Sequence, residues 1–174
     1  MKTTRMLWAA FIALTAAMFT ACGSDEPDTP QKVAYESVSV GYYINLSEDY
    51  YKFYDVKVIF TDGEGQLMTA PLTENQDFGY TIPVNSLPGN IRFAIQATAK
   101  NPLPSAEAGA TYTFGNKTSV VIVGNKTDGS KETGNIDTQY FEYEVSAENV
   151  AKFVGQEPEL LIGPYEYSTE EFRK

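Results

Sequence analysis

Apolar and polar residues alternate along most of this chain, and the alternation restricts its fold more than any other feature. From Ile91 to Ala99 every second position is apolar, and most of the positions between them are polar. Because successive side chains of a strand point to opposite faces, this pattern is typical of a half-buried β-strand. Residues 38–44, 54–60 and 140–145 alternate in the same way.

Turn-forming residues separate the alternating segments. Gly63 and Gly65, for example, can supply the positive φ that a tight hairpin needs. Seven short strands joined by such turns predict an all-β, antiparallel sandwich. The stretch 124–134 is rich in glycine, asparagine and charge, and is predicted to be a long loop. The predicted strands lie near residues 34–45, 51–61, 66–71, 77–84, 90–100, 111–123 and 136–145.

One short helix is predicted after the last of these strands. Ser146 is a typical N-cap, and Gly155 is a typical helix end. The sandwich domain is therefore predicted over residues 33–155, while the sequence leaves open whether the tail, 156–174, packs or frays. The buried stripe of the helix would consist of Val150, Phe153 and Val154.

The stretch from Leu87-Pro88-Gly89 to Ala97 resembles the entry to the penultimate strand of fibronectin type III domains. In that family a leucine, a Pro-Gly turn and an aromatic residue precede alternating apolar residues. Phe93 departs from the pattern, because it replaces the tyrosine whose hydroxyl closes the corner. The resemblance implies an Ig-like sandwich in which 111–123 is the last basic strand and 136–145 is an extra one. A different β-sandwich or a barrel is the alternative.

An apolar segment precedes Cys22, the only cysteine of the chain. Two basic residues, Lys2 and Arg5, come first, which is the layout of a secretory signal peptide. As a helix the apolar run 6–19 would reach about 21 Å, short of the ~30 Å hydrocarbon core of a membrane. Thr20-Ala21 directly before the cysteine resembles the bacterial lipobox. The resemblance implies that signal peptidase II removes residues 1–21 and that Cys22 carries lipid; an ordinary signal peptide is the alternative.

Residues 22–32 are acidic and contain prolines, so they are predicted to be a flexible tether behind the lipid. Ser24-Asp25-Glu26 resembles the acidic export signal of surface lipoproteins in Bacteroidota. That resemblance implies a lipid-anchored outer-membrane protein that faces the cell exterior; a periplasm-facing anchor is the alternative.

Charge and composition exclude several functions. The net charge of −10 repels nucleic acid and anionic lipid, so contact with the membrane would come through the lipid on Cys22. The chain has no histidine and no second cysteine, which excludes Ser–His and Cys–His nucleophiles and zinc or haem sites that need these ligands. No cofactor is expected. Glu142 and Glu144 would lie on one strand face with their α-carbons about 7 Å apart. Catalytic carboxylates face each other across a cleft, whereas neighbours on one outer face are normally just solvated. A carboxylate-dependent hydrolase is therefore only the third hypothesis.

Calcium binding is a weak hypothesis for the predicted loop 124–134, because acidic loops of exported sandwiches can supply oxygen ligands. No EF-hand spacing is present, and a mobile polar loop is the simpler interpretation, so no metal site is predicted. The weak candidates are Asn125, Asp128, Glu132 and Asp137.

Aromatic residues are the remaining functional candidates. Strand alternation can bury only about half of the rings clustered over residues 42–54, and exposed tyrosines suit protein or sugar contact. Trp8 is the only tryptophan and lies in the predicted signal peptide, which disfavours sugar binding. We therefore predict a non-enzymatic protein-binding or structural module, accessory to an outer-membrane assembly, with a glycan-binding module as the alternative. The candidate contact residues are Tyr42, Tyr43, Tyr50, Tyr51 and Phe53.

Overall fold

Two four-stranded antiparallel sheets pack face to face in the computed structural model of the chain, which describes residues 33–174. The all-β, antiparallel sandwich predicted from the sequence is therefore confirmed. The predicted signal peptide, Cys22 and the tether lie outside the described residues. Short 3-10 turns occur at Val84–Ser86 and Glu170–Arg173. The strands and helices are β1 (Tyr35–Leu46), α1 (Glu48–Phe53), β2 (Tyr54–Thr61), β3 (Leu67–Leu72), β4 (Phe78–Pro83), β5 (Asn90–Ala99), β6 (Thr111–Lys126), β7 (Lys131–Ser146), α2 (Ala147–Gln156) and β8 (Glu159–Ser168).

The first sheet has the order β4–β1–β6–β7, and the second has the order β3–β2–β5–β8. With β1, β2, β4, β5 and β8 in the places of strands B, C, E, F and G, this is the neighbour order of an immunoglobulin-type sandwich. The resemblance to fibronectin type III domains implies that 111–123 is the last strand of the basic sandwich, a strand that in this fold pairs with the penultimate one, here β5. That expectation is wrong, because β8 pairs with β5 while β6 crosses to the first sheet and pairs with β1.

The buried faces follow the alternation in the sequence. Across the interior, Tyr42 of β1 stacks on Phe93 of β5 with ring centroids 5.4 Å apart. Burial of a side chain of this size contributes about 1.5–3 kcal/mol, so alternating strands of this kind supply most of the attraction between the sheets. The buried residues at alternate positions of β5 are Ile91, Phe93, Ile95 and Ala97.

A helix replaces the start of the strand predicted over 51–61. Helix α1 ends at Phe53, and β2 begins only at Tyr54. The two buried side chains of the helix, Tyr50 and Phe53, are three residues apart and so lie on one helical face. The carboxylate of Asp49 accepts a hydrogen bond from Thr113 N at 2.7 Å, which attaches the helix to β6. The alternation of the sequence begins only at Tyr54, so it does not extend to the residues that form the helix.

The predicted loop over 124–134 is a tight hairpin instead. β6 continues to Lys126, and β7 begins at Lys131. Lys126 N donates to Ser130 O at 2.9 Å, and Gly129 adopts φ 80° in the turn. The polar residues of this stretch predict a loop, but most of them are paired between β6 and β7, where a polar strand end is tolerated because it faces solvent.

The predicted helix is confirmed as α2, with N-cap Ser146, although it runs past Gly155 to Gln156. The open question about the tail is answered by β8, which adds an eighth strand to the described part of the chain. After β8, Phe172 packs its ring edge-on against Tyr35 with centroids 5.0 Å apart.

No helix within residues 33–174 has the length and apolar character needed to cross a membrane.

Candidate functional site

Three of the five aromatic residues predicted as contacts lie in the core. Tyr42, Tyr50 and Phe53 are buried, so they cannot touch a partner in this conformation. The Tyr42 hydroxyl donates to Thr61 O at 2.8 Å, which satisfies its polar end. Burial raises the pKa of the Tyr42 and Tyr50 phenols. These rings hold the sheets together and are not a contact surface.

Tyr43 and Tyr51 are half-buried and remain accessible, but they lie on different elements. The Tyr51 hydroxyl donates to Asn75 Oδ1 at 2.8 Å, and burial, with a smaller effect of Glu74, raises its pKa to about 12. The Tyr43 ring lies over Gly41, where a Cβ would come within 3.1 Å of ring atoms. The structure therefore does not bring the five predicted residues together into one site.

The four weak calcium candidates are each engaged with their own neighbours or stand apart. The Asn125 side chain donates to Ser39 Oγ at 3.0 Å, and Asp128 accepts from Ser130 N at 2.9 Å. Glu132 is 2.6 Å from Lys126 Nζ, and this hydrogen bond is the main cause of its lowered pKa. Asp137 lies further along β7. Within the described part of the chain, no three acidic side chains are grouped closely enough to hold a metal ion.

The carboxylate pair considered for hydrolysis, Glu142 and Glu144, lies on the exposed outer face of β7. The register places Glu142 opposite Gly115 and Glu144 opposite Thr113, both on β6. The two side chains therefore share one flat sheet face and not the opposing walls of a cleft.

A shallow opening separates the edges of β7 and β8. Its lining includes Thr118, Asp137, Gln139 and Tyr165, and it is open to solvent. It encloses far less space than an ordinary ligand pocket. Gly163, at φ 56°, allows the close approach here, because a Cβ would lie 2.7 Å from Thr118 Oγ1.

The most exposed large side chains of the described residues include three on β7. Ile136 is 62% exposed, Tyr140 is 68% exposed and Tyr143 is 56% exposed. This strand has 16 residues and lies at the edge of the first sheet, with β6 on one side only. Edge strands of natural proteins are usually short, covered or interrupted, so a regular edge strand of this length is unusual.

Aromatic rings continue from β7 into the core near α2. Phe141 and Tyr143 have centroids 5.7 Å apart, and Tyr143 is 6.4 Å from Phe153 of α2. Phe153 in turn lies 4.7 Å from buried Phe114. Because this ring series is attached to the core, its exposed end is held in place and does not move as a loop would.

Within residues 33–174 no strand pairs with the outer side of β7, so its backbone is available there. Ala110 and Ala147 stand next to the pair Thr111 and Ser146, which closes the β6–β7 ladder. Ala147 N donates to Ala110 O at 3.0 Å, so Ala110 and Ala147 form a hydrogen-bonded pair. Bonded and non-bonded pairs alternate along antiparallel strands, so the odd-numbered residues from 137 to 145 bond to β6. The N–H and C=O groups that point away from β6 belong to Ile136, Thr138, Tyr140, Glu142 and Glu144.

We call the free edge of β7, together with Ile136, Tyr140, Phe141, Tyr143 and Phe153, the β7 surface. The sequence does not predict this surface, although it contains one signal of it: the aromatic residues over 140–143 fall on both faces of the strand, which indicates two partly open faces.

Comparison of the chain with protein-family models, with curated proteins and with solved structures finds no match.

Proposed function

We propose that this chain is a lipid-anchored cell-envelope protein that binds another protein through the β7 surface and catalyses no reaction itself. The observation that carries the proposal is the presence of large, exposed side chains on both faces of one edge strand, Ile136, Tyr140 and Tyr143. Tyrosines at such positions provide large contact area at low entropic cost, and they are enriched in protein interfaces. The lipobox resemblance at Cys22 supports the anchor.

The position of the β7 surface also suits a tethered protein. β1 begins at Tyr35, close to the predicted tether, and it pairs there with Lys126 of β6. Its other end, Leu46, pairs with Asn116, which in turn pairs with Phe141 of β7. The 12 residues of β1 span roughly 36 Å, so the aromatic part of the β7 surface lies at the end remote from Tyr35.

Photo-crosslinking in the native membrane tests the proposal. A photoreactive residue replaces Tyr143 in the full chain, and the matched control replaces Leu67, which is also exposed and apolar but lies on β3 at the far edge of the second sheet. We expect a discrete protein adduct at position 143 and none at position 67. Equal adducts at both positions, or none at either, would contradict the proposal.

The anchor is tested separately. The Cys22→Ser variant is expected to leave the membrane fraction, while the parent chain stays with it until detergent is added. Mass spectrometry that finds a free thiol on Cys22 of the membrane-bound chain would contradict the lipid anchor.

A glycan-binding function is the second candidate, and it rests on Tyr43. The Tyr43 ring is half-buried and lies over Gly41, where a Cβ would come within 3.1 Å of ring atoms, and tyrosine rings suit contact with sugars. Gly41→Ala should push the ring off the sheet and abolish retention on a glycan array, whereas Tyr143→Ala should leave retention unchanged. Absence of retention by the parent chain would remove this candidate.

A further inference from the structure

We infer that the β7 surface takes up an extended, basic segment of the partner protein, which pairs antiparallel with the free edge of β7 as an additional strand. The inference rests on the proposed function, protein binding at this surface, and specifies the binding mode and the chemistry of the partner. Three features of β7 carry it: its unpaired backbone, its alternating side chains and its charge.

The backbone feature is the free ladder of β7. The residues from Ile136 to Glu144 that face away from β6 offer N–H and C=O groups over about 27 Å. The irregularity in the β6–β7 register lies between Ile122 and Val123, before this segment, so the ladder is regular throughout. An extended peptide satisfies such groups by adding a strand, and main-chain hydrogen bonds then supply much of the affinity.

The side-chain feature is the presence of apolar anchors on both faces of the free edge. Ile136 and Tyr140 lie on the outer face, while Phe141 and Tyr143 lie on the inner face, where Tyr143 is next to Phe153. An added strand places its own side chains directly opposite these, about 4.5–5.5 Å away. Aromatic and β-branched residues of the partner should therefore stand opposite 136, 140, 141 and 143.

The charge feature selects a basic partner. Asp137, Glu142 and Glu144 are exposed, and none of the three is in an ion pair within residues 33–174. A second copy of the chain would bring the same carboxylates alongside, and the chain already carries a net charge of −10. Lysine or arginine opposite these three positions would neutralise them, since opposite charges across strands attract and like charges repel.

These constraints define a nine-residue probe. Read from its amino end, the peptide Lys-Phe-Arg-Val-Ile-Thr-Thr-Lys-Val faces β7 from Glu144 back to Ile136 in antiparallel register. Its matched control has glutamate in place of the lysines and arginine. Binding of the labelled peptides to the full chain in detergent is followed by fluorescence anisotropy, and we expect the basic peptide to bind at least about tenfold more tightly.

N-methylation separates strand pairing from side-chain docking. Amides of the third and fifth probe residues point toward β7, so methylation there should weaken binding by about tenfold or more. Amides of the second and fourth residues point away, and methylation there should change the affinity by less than about twofold. Equal effects of both methylations, or equal binding of the acidic peptide, would overturn the inference.

Variants of the protein provide the reciprocal test. Thr138→Pro removes one free-edge N–H while the β6 ladder stays intact, because Thr138 does not donate to β6. It should weaken probe binding by about tenfold with an unchanged circular dichroism spectrum. Glu142→Lys keeps the backbone and should weaken binding of the basic peptide and reduce its preference over the acidic peptide, because Asp137 and Glu144 remain. Unchanged affinity in both variants would overturn the inference.

The outcomes also separate this inference from the proposed function. If the adduct at position 143 persists but the probe neither binds nor competes with its formation, the protein binds a partner without adding a strand. If the adduct joins two copies of the chain, the occupant is a second copy and the inference of a basic partner fails. If neither adduct nor probe binding is found, the proposed function fails as well.

Discussion

The edges of β7 and β8 line the same opening of the sandwich, yet they end their sheets differently. β8 contains Gly163 and Pro164, and its register against β5 shifts between Phe93 and Ile95. Both features blunt an edge, because proline removes a donor and an irregular register prevents regular pairing. β7 is regular from Ile136 onward, and it has only carboxylates to oppose unwanted pairing.

The chain beyond the two strands differs as well. After β8 the tail turns back, and Phe172 packs against Tyr35 and over Gly124 and Gly134, where a Cβ would lie within 3 Å of the ring. After β7 the chain enters α2, which leaves Tyr143 more than half exposed. Residues next to the β8 edge therefore contribute to the free energy of unfolding, whereas substitutions at the β7 edge should change it little. Substitutions that separate stability from binding test this difference.

The largest expected effect is at the C-terminal tail. Phe172→Ala removes a ring that is 1% exposed, and it should lower the free energy of unfolding by about 3–5 kcal/mol. Tyr143→Ala on β7 should lower it by less than about 1 kcal/mol, because this ring is largely solvated. Urea denaturation of the full chain measures both. Similar losses in the two variants would show that β7 is as much a part of the stable core as the tail.

A smaller effect is expected from the buried hydroxyl that fixes the end of β8. Thr169 is fully buried, and its Oγ1 donates to Pro88 O, with Gly89 O also within 3.2 Å. Thr169→Val removes the hydroxyl, but Gly89 O still accepts from Thr169 N and Pro88 O still accepts from Arg173 Nη2, so the substitution should cost about 0.5–1.5 kcal/mol. Thr138→Val on β7, where the hydroxyl contacts Ser119 in solvent, should cost under about 0.5 kcal/mol. Thermal or urea unfolding distinguishes the two, and equal costs would contradict the comparison.

The sequence predicted the parts of the fold that depend on local alternation. Ile91, Phe93 and Ile95 are buried as the two-residue period required, and Ser146 stands at the start of α2. It did not predict α1, because Tyr50 and Phe53 become one face only when the chain is helical. It also missed β8, where Glu159–Ser168 shows no clear alternation and is held by pairing with β5.

The candidate site was predictable in kind but not in place. Tyrosines were expected at the surface, and the structure exposes Tyr140 and Tyr143 while it buries Tyr42 and Tyr50. Which rings are exposed depends on whether a neighbouring strand covers them, and strand order is a long-range property that alternation does not contain. A strand of the same pattern in the middle of a sheet would have had its rings covered.

Alkaline pH should affect β8 through Tyr167. Burial is the main cause that raises the pKa of this phenol, and the nearby Glu171, which accepts its hydrogen bond, raises it further. The folded state therefore holds the proton more tightly than the unfolded chain, whose tyrosines have a pKa of about 10. This contribution is complete below pH 10 and is lost as the pH rises beyond it. Between pH 9 and about 11.5, Tyr167→Phe should lose less stability than the parent chain. Identical pH profiles for the two proteins would contradict this assignment.

The smallest expected effect is at the ion pair on the outer face of β8. Arg92 Nη2 lies 2.9 Å from Glu166 Oε1, and hydrogen bonds from Arg92 and Asn90 lower the pKa of this carboxyl. A lowered pKa stabilises the fold above the unfolded value of about 4.3, and that contribution disappears as the pH falls through the folded value. Glu166→Gln should therefore be slightly less stable than the parent at pH 7 and equally stable near pH 2, and 0.5 M salt should reduce the difference. Glu142 on β7 is in no such ion pair within residues 33–174, so Glu142→Gln should be as stable as the parent at pH 7. A loss of stability equal to that of Glu166→Gln would show that the carboxylates of β7 stabilise its edge instead of leaving it open for a basic strand.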